Sequence, residues 1–171
     1  MRRKKKRKMT LRKLKSQDLV EYRRLRLRSV ETDPNAFFLR FSQAKKYPDS
    51  FFLSELLEKN TDTFGFYGTF EDMKLVGMIS LQPLGDSKAQ IFTLYVDPLY
   101  REKGIGRMLL DGVLVKASQA SIESIKLTVI AGNAAIALYE SMGFKLVGEN
   151  KEALHNESGV FDELVFQKEL P

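Results

Sequence analysis

The chain has 171 residues, 43% of them hydrophobic, with one histidine and no cysteine. That length suits a single domain with a real core. The absence of cysteine excludes disulfides, thiolate metal sites and cysteine nucleophiles, and one histidine, His155, leaves no histidine metal cluster and argues against a Ser-His-Asp triad.

The net charge of +6 is concentrated at one end, because Arg2, Arg3, Lys4, Lys5, Lys6, Arg7 and Lys8 are all basic. Without those seven the 28 basic residues fall to 21 against 22 acidic ones, a formal charge of −1. Residues 1–8 therefore read as a basic tail and residues 9–171 as the folded domain. Three readings of the tail stand together: an arm that meets nucleic acid, a solvated extension without a role, or an artefact of start-codon choice with Met9 as the true start. No apolar run approaches the roughly 18 residues of a membrane span. No membrane partner is expected, and without a secretory apolar segment a cytoplasmic location is expected by default.

In chain order, Thr10–Leu14 predicts a short strand. Ser16 or Asp18 caps a helix carrying Leu19, Tyr22, Leu25 and Val30 at helical spacing, which stops before Pro34. Ala36–Leu39 opens a linker that includes Phe37 and Phe38. Pro48-Asp49-Ser50 starts a second helix with Phe51, Phe52, Leu56 and Leu57 as its buried set. Thr63–Phe70 and Lys74–Leu84 form a hairpin about Glu71-Asp72-Met73, and Asp86 marks the next turn. Lys88–Val96 is the following strand, ended by Asp97-Pro98. Arg101–Arg107 is a glycine loop, and Met108, Leu109, Leu110, Val113 and Leu114 continue it as a helix. Ile125–Ile130 is a strand parallel to the previous one, since a helix crosses between them. Asn133 caps a short helix with Ile136, Leu138 and Met142, and Gly143 ends it. Phe144–Gly148 and Val160–Leu170 close the chain as strands around a solvated loop, Glu149–Gly159, which carries His155. The whole is an α/β (α+β layered) fold: a mixed, partly antiparallel sheet of about seven strands with about four helices.

The glycine loop carries the chemistry. Amides at the start of a helix have no partners within it, and the helix dipole favours negative charge there. Gly104 and Gly106 let the backbone approach a ligand closely. The loop is no Walker A motif, because Arg107-Met108 follows Gly106 where Lys-Ser/Thr is needed. It is no dinucleotide fingerprint either, because Leu109 stands where a third glycine belongs.

Arg101-x-x-Gly104-x-Gly106 after Val96-Asp97-Pro98, followed by Asn133-x-x-Ile136-x-Leu138-Tyr139-x-x-x-Gly143-Phe144, resembles the GNAT superfamily of acetyl-CoA-dependent N-acetyltransferases, in particular its ribosomal-protein N-terminal acetyltransferase-like branch. The resemblance covers about residues 89–148 most specifically. It implies acetyl-CoA as cosubstrate, a primary amine as acceptor and no metal. It also implies that the strand before the loop parts from its neighbour, so that the backbone of Leu94 and Val96 binds the pantetheine arm. Arg101, Glu102, Lys103, Gly104, Ile105, Gly106 and Arg107 would wrap the pyrophosphate, and Asn133 would cap its helix or meet the pantetheine. Tyr139 would be the general acid that donates to the departing sulfur. Where this branch often carries a glutamate base the sequence has Thr128, which cannot serve, and Glu149 and Asp162 are the reserve candidates. Acceptor walls are expected from Arg24–Arg28, Pro34–Phe38 and Glu149–Gly159. A homodimer is left open, as are two other functions: a catalytically silent acyl-CoA-binding domain, and a nucleic-acid module acting through residues 1–8.

Overall fold

The computed structural model describes residues 9–37, 39–58 and 60–171. The expectations for residues 1–8 and for Phe38 lie outside that set. Seven strands form one sheet: β1 (Leu11–Lys13), β2 (Gly65–Glu71), β3 (Lys74–Gly85), β4 (Lys88–Val96), β5 (Ser124–Ile130), β6 (Lys145–Asn156) and β7 (Gly159–Glu169), in the spatial order β1-β2-β3-β4-β5-β7-β6. Every neighbouring pair is antiparallel except β4 with β5. That parallel pair is joined by α4 (Ile105–Gln119), as a parallel connection requires a crossover. The other helices are α1 (Leu19–Thr32), α2 (Phe41–Ala44), α3 (Asp49–Leu57) and α5 (Ile136–Ser141).

The sheet separates two cores. On one face α4 buries Ile105, Leu109, Leu110 and Val113 against Val76, Ile79, Leu81, Ile91 and Leu127. On the other, Tyr22 and Leu25 of α1 and Phe52 and Leu56 of α3 pack on Phe66, Leu75, Met78 and Tyr95. Strand alternation decides which side chain goes where: Met78 meets the α1/α3 core while Ile79 and Leu81 meet α4. Close approach of α4 depends on Gly77, where an added Cβ would stand 3.0 Å from both Ile105 Cγ2 and Leu109 Cδ1.

Four sequence expectations change. The linker after α1 holds the short helix α2, so there are five α-helices among the described residues rather than about four. Ser16–Asp18 is a 3-10 turn, and neither side chain caps α1; the Asp18 carboxylate instead accepts from the Lys15 amide and from two Arg12 nitrogens, each at 2.8 Å. Leu57 is 54% exposed, because it falls off the Phe52–Leu56 stripe of α3. The stretch Glu149–Gly159 is largely strand, with Asn150 opposite Glu163 and His155 opposite Val160. Its charged residues hid the pattern, since β6 is the edge strand and most of its side chains meet water. His155 is exposed as expected, but on a strand.

Candidate functional site

Where β4 and β5 part is the centre of the site. Their parallel register runs from Lys88↔Ser124 to Ile91↔Leu127 and stops there. Beyond that point β5 pairs only with β7, through Thr128↔Val165 to Ile130↔Glu163. A bulge in β4 drives the separation: Met78 faces Tyr95 and Ser80 faces Phe92, so Thr93 and Leu94 oppose one residue of β3, and Thr93 takes a φ of +54°. The Asp97 amide donates to the Val76 carbonyl on β3 at 2.9 Å. Backbone groups alternate along a strand, so those of Val96 and Leu94 turn the other way, into the opening.

The glycine loop faces this opening. Gly104 caps α4 with a φ of +77°, and an added Cβ there would meet nothing within 4 Å, so space beside it is open. The first bond of α4 runs from the Met108 amide to the Gly104 carbonyl at 3.0 Å, which leaves the amides of Ile105, Gly106 and Arg107 free at the helix start. Glu102 is also left-handed, at φ +61°, and is exposed. The Ile105 side chain is in the core, so only its backbone can meet a ligand. The three cations point in different directions. Lys103 Nζ donates to the Leu99 carbonyl at 3.4 Å, and Arg107 donates to Ser141 Oγ at 2.7 Å. Arg101 turns back along β4: Nε donates to the Val96 carbonyl at 2.9 Å and Nη2 pairs with Asp33 at 2.5 Å. Asp33, at the end of α1, was not singled out by the sequence, since nothing local links it to a loop 68 residues later.

Asn133 precedes α5, and Tyr139 on α5 packs in the core with α4. The Asn133 side-chain oxygen accepts from the Ala135 amide at 2.8 Å, so it caps the turn leading into α5. Tyr139 is 6% exposed and its ring packs on Phe144 at 6.2 Å. Its hydroxyl has no hydrogen-bond partner among the described residues, and burial pushes its pKa up to about 12. The phenol therefore stays protonated through the neutral range and keeps a proton to donate.

The reserve bases are otherwise engaged. Lys151 Nζ donates to Glu149 at 2.7 Å and to Asp162 at 3.1 Å. The Glu152 amide and then Lys151 hold Asp162 below the usual carboxylate range, which weakens it as a base. Two of the expected acceptor walls do meet, because Asn156 Nδ2 near the β6–β7 turn donates to Asn35 Oδ1 after α1 at 2.8 Å. Phe37 is half-buried against Tyr95, with ring centroids 6.2 Å apart, and the Arg26 guanidinium lies over it. Arg24, by contrast, is tied to Glu21 and to the Leu75 carbonyl.

A sheet opened at one parallel pair, with a glycine-led helix start facing the opening, defines a site for an extended ligand with an anionic group. The model of the Acetyltransferase (GNAT) family matches residues 26–144, and the chain belongs to this family of acyltransferase enzymes. It is 43% identical over 58 residues to the [ribosomal protein bS18]-alanine N-acetyltransferase of Escherichia coli K12, a match covering 33% of this chain and 39% of that protein. The chain thus spans well under two thirds of that curated relative. Among solved structures, an N-acetyltransferase from Staphylococcus aureus Mu50 superposes with a TM-score of 0.84 at 18% identity, over 96% of this chain and 100% of that one. The yncA protein of Salmonella typhimurium, solved with its cofactor acetyl-CoA, superposes with a TM-score of 0.81 at 18% identity over 95% and 94%. No group of His, Cys, Asp or Glu among the described residues is placed to hold a metal ion, and no helix among them is long and apolar enough to cross a membrane.

Proposed function

We propose that this chain transfers the acetyl group of acetyl-CoA to a primary amine by direct attack. The observation that carries the reading is the opening of β4 from β5 after Ile91, opposite the Gly104-led start of α4. The residues present fit the ligand. The free amides of Ile105, Gly106 and Arg107 suit a pyrophosphate, and the Leu94 and Val96 backbone suits an amide-bearing arm laid along β4. When bound, acetyl-CoA supplies the thioester, whose C–S bond breaks as the C–N bond to the amine forms.

This chain's residues do the rest. A β4 backbone amide in the opening donates to the carbonyl oxygen as negative charge grows on it. Tyr139 Oη gives its proton to the departing sulfur, so the thiol leaves with the phenol's proton and the proton lost by the amine restores the phenol. Arg101 must release the Val96 carbonyl for the arm to use it, and its ion pair with Asp33 is half-exposed and weak enough to permit that. With Thr128 where a base would stand, the amine reacts as its unprotonated fraction or through water.

Thermal unfolding with acetyl-CoA, and with ATP and NAD as controls, tests the reading. A saturable rise with acetyl-CoA alone is expected from linkage, about 2.7 kcal/mol at a ligand concentration one hundred times Kd. No rise, backed by a titration without binding heat, would end it.

A further inference from the structure

A second polar site lies on the opposite face of the sheet from α4. The register places Phe66, Ser80 and Phe92 in one row across β2, β3 and β4. Along β3 the α1/α3 face reads Met78, Ser80, Gln82, so the apolar pattern of a central strand stops there and turns polar. A cavity of about 250 Å³ stands over this row, walled by Glu55 on the last turn of α3 and by Glu58, the extended residue that follows the helix. Thr93, the bulge residue next to Leu94, completes its rim, so the cavity adjoins the point where β4 opens.

Three features of this cavity point to a cation. First, Gln82 Nε2 donates to Ser80 Oγ at 2.8 Å, which leaves Gln82 Oε1 buried as an acceptor without a partner. An orphaned buried acceptor costs about 1–3 kcal/mol unless something donates to it. Second, the charges do not balance within the wall. Glu55 accepts from the Tyr22 hydroxyl at 2.9 Å and lies 3.6 Å from Arg26 Nη2, whereas Glu58 makes no ion pair with any of the described residues. Third, the rings of Phe66 and Phe92 flank Ser80, and Phe92 is 43% exposed, an apolar surface with no core to cover it. Rings and carboxylates together suit an ammonium on an alkyl stem.

We propose that the acceptor is an alkyl diamine or polyamine: one ammonium is held by Glu55, Glu58 and Gln82 Oε1 over the Phe66–Phe92 row, while the other amine reaches the β4 opening past Thr93. This rests on the acyl-transfer reading for its second half and stands on the cavity alone for its first. Glu58 matters most, because Glu55 is already partnered by Tyr22 and Arg26. Screening by salt weakens such a contact, so affinity falls as ionic strength rises.

The test is calorimetric titration of the protein, with and without CoA, by 1,4-diaminobutane and by 1-aminobutane. The diamine should bind about tenfold more tightly than the monoamine, a gap of about 1.4 kcal/mol. Glu58→Gln should weaken binding of both amines, the diamine more, and leave acetyl-CoA affinity unchanged. Glu55→Gln should act alike, with its melting temperature measured alongside because it also supports Tyr22. In turnover, both variants should raise KM for the diamine at constant kcat. Equal affinities for the two amines, no measurable binding of either, or diamine binding undiminished in Glu58→Gln each overturn the proposal. Failure of acetyl-CoA to bind would sink the acyl-transfer reading instead, and diamine binding to the free protein would still report on the cavity.

Discussion

Tyr139 is held as a buried phenol that keeps its proton to donate. Its ring is in the α4 core, its hydroxyl lacks a partner among the described residues, and burial lifts its pKa to about 12. Tyr139→Phe keeps the ring packing and deletes one proton donor. Turnover should fall about 10²-fold or more, while acetyl-CoA affinity, set by β4 and the α4 start, should hold. Unchanged turnover with a chemistry-limited amine would remove the acid role. The pH profile follows from the same pKa. The ordinary lysine-like amine titrates near pH 10.4, so kcat/KM should climb through pH 7–10 without a falling limb from Tyr139. The sign for stability agrees: the folded pKa lies above the usual 10, so Tyr139 does not destabilise the fold below that value and begins to do so as pH rises towards 12. A falling limb near pH 8–9 that vanishes in the phenylalanine variant would contradict this environment for the residue.

At the scale of elements, the α4 start is the part whose geometry is least replaceable. Gly104→Ala puts a side chain at φ +77° with no clash around it, so its effect isolates backbone strain from crowding. A cost of about 1–2 kcal/mol follows, seen as a lower melting temperature and weaker acetyl-CoA binding by titration; an unchanged Kd would mean the loop backbone does not hold the pyrophosphate. This loop was legible from sequence because its parts are neighbours. Gly104, Gly106 and Asn133 act through local backbone geometry, and the strand before them ends visibly at Asp97-Pro98. The opening of β4 was legible only through the family resemblance, since the bulge at Thr93 exists in the register with β3 and not in the sequence of β4. The opposite face was not legible. Glu55 and Glu58 meet Gln82 only after α3 docks on the sheet, and Asp33 meets Arg101 across 68 residues. No local pattern marks the pair, since Glu55 is on the last turn of α3 and Glu58 lies just past its end in extended backbone. The second half of β6 failed for a different reason: an edge strand does not need alternation.

For the molecule as a whole, the sheet divides the work. One face carries α4 and the other the Glu55–Glu58 cavity, with the β4 opening beside both; on the proposed function the acyl donor lies on the α4 side and the opening is the passage between them. A donor rich in negative charge and an acceptor rich in positive charge can then approach from opposite sides, each into a field of the opposite sign. The charge of the chain follows another division. Residues 9–171 are near neutral at a formal −1, whereas residues 2–8 carry seven positive charges and set the isoelectric point of 9.4. Affinity for a polyanion should therefore reside in the tail and be independent of the site. Deleting residues 1–8 should abolish retention of the chain on RNA at low salt, and the full chain's affinity should fall steeply with salt, with a log–log slope of roughly 0.7 per phosphate neutralised on a single strand. The same deletion should leave kcat/KM for a small amine intact, because every residue of the proposed site lies within residues 9–171. Retention that survives the deletion would place a basic surface on the folded domain, where the near-neutral composition gives no reason to expect one. A loss of small-amine turnover would tie the tail to the active site and overturn the separation of the two.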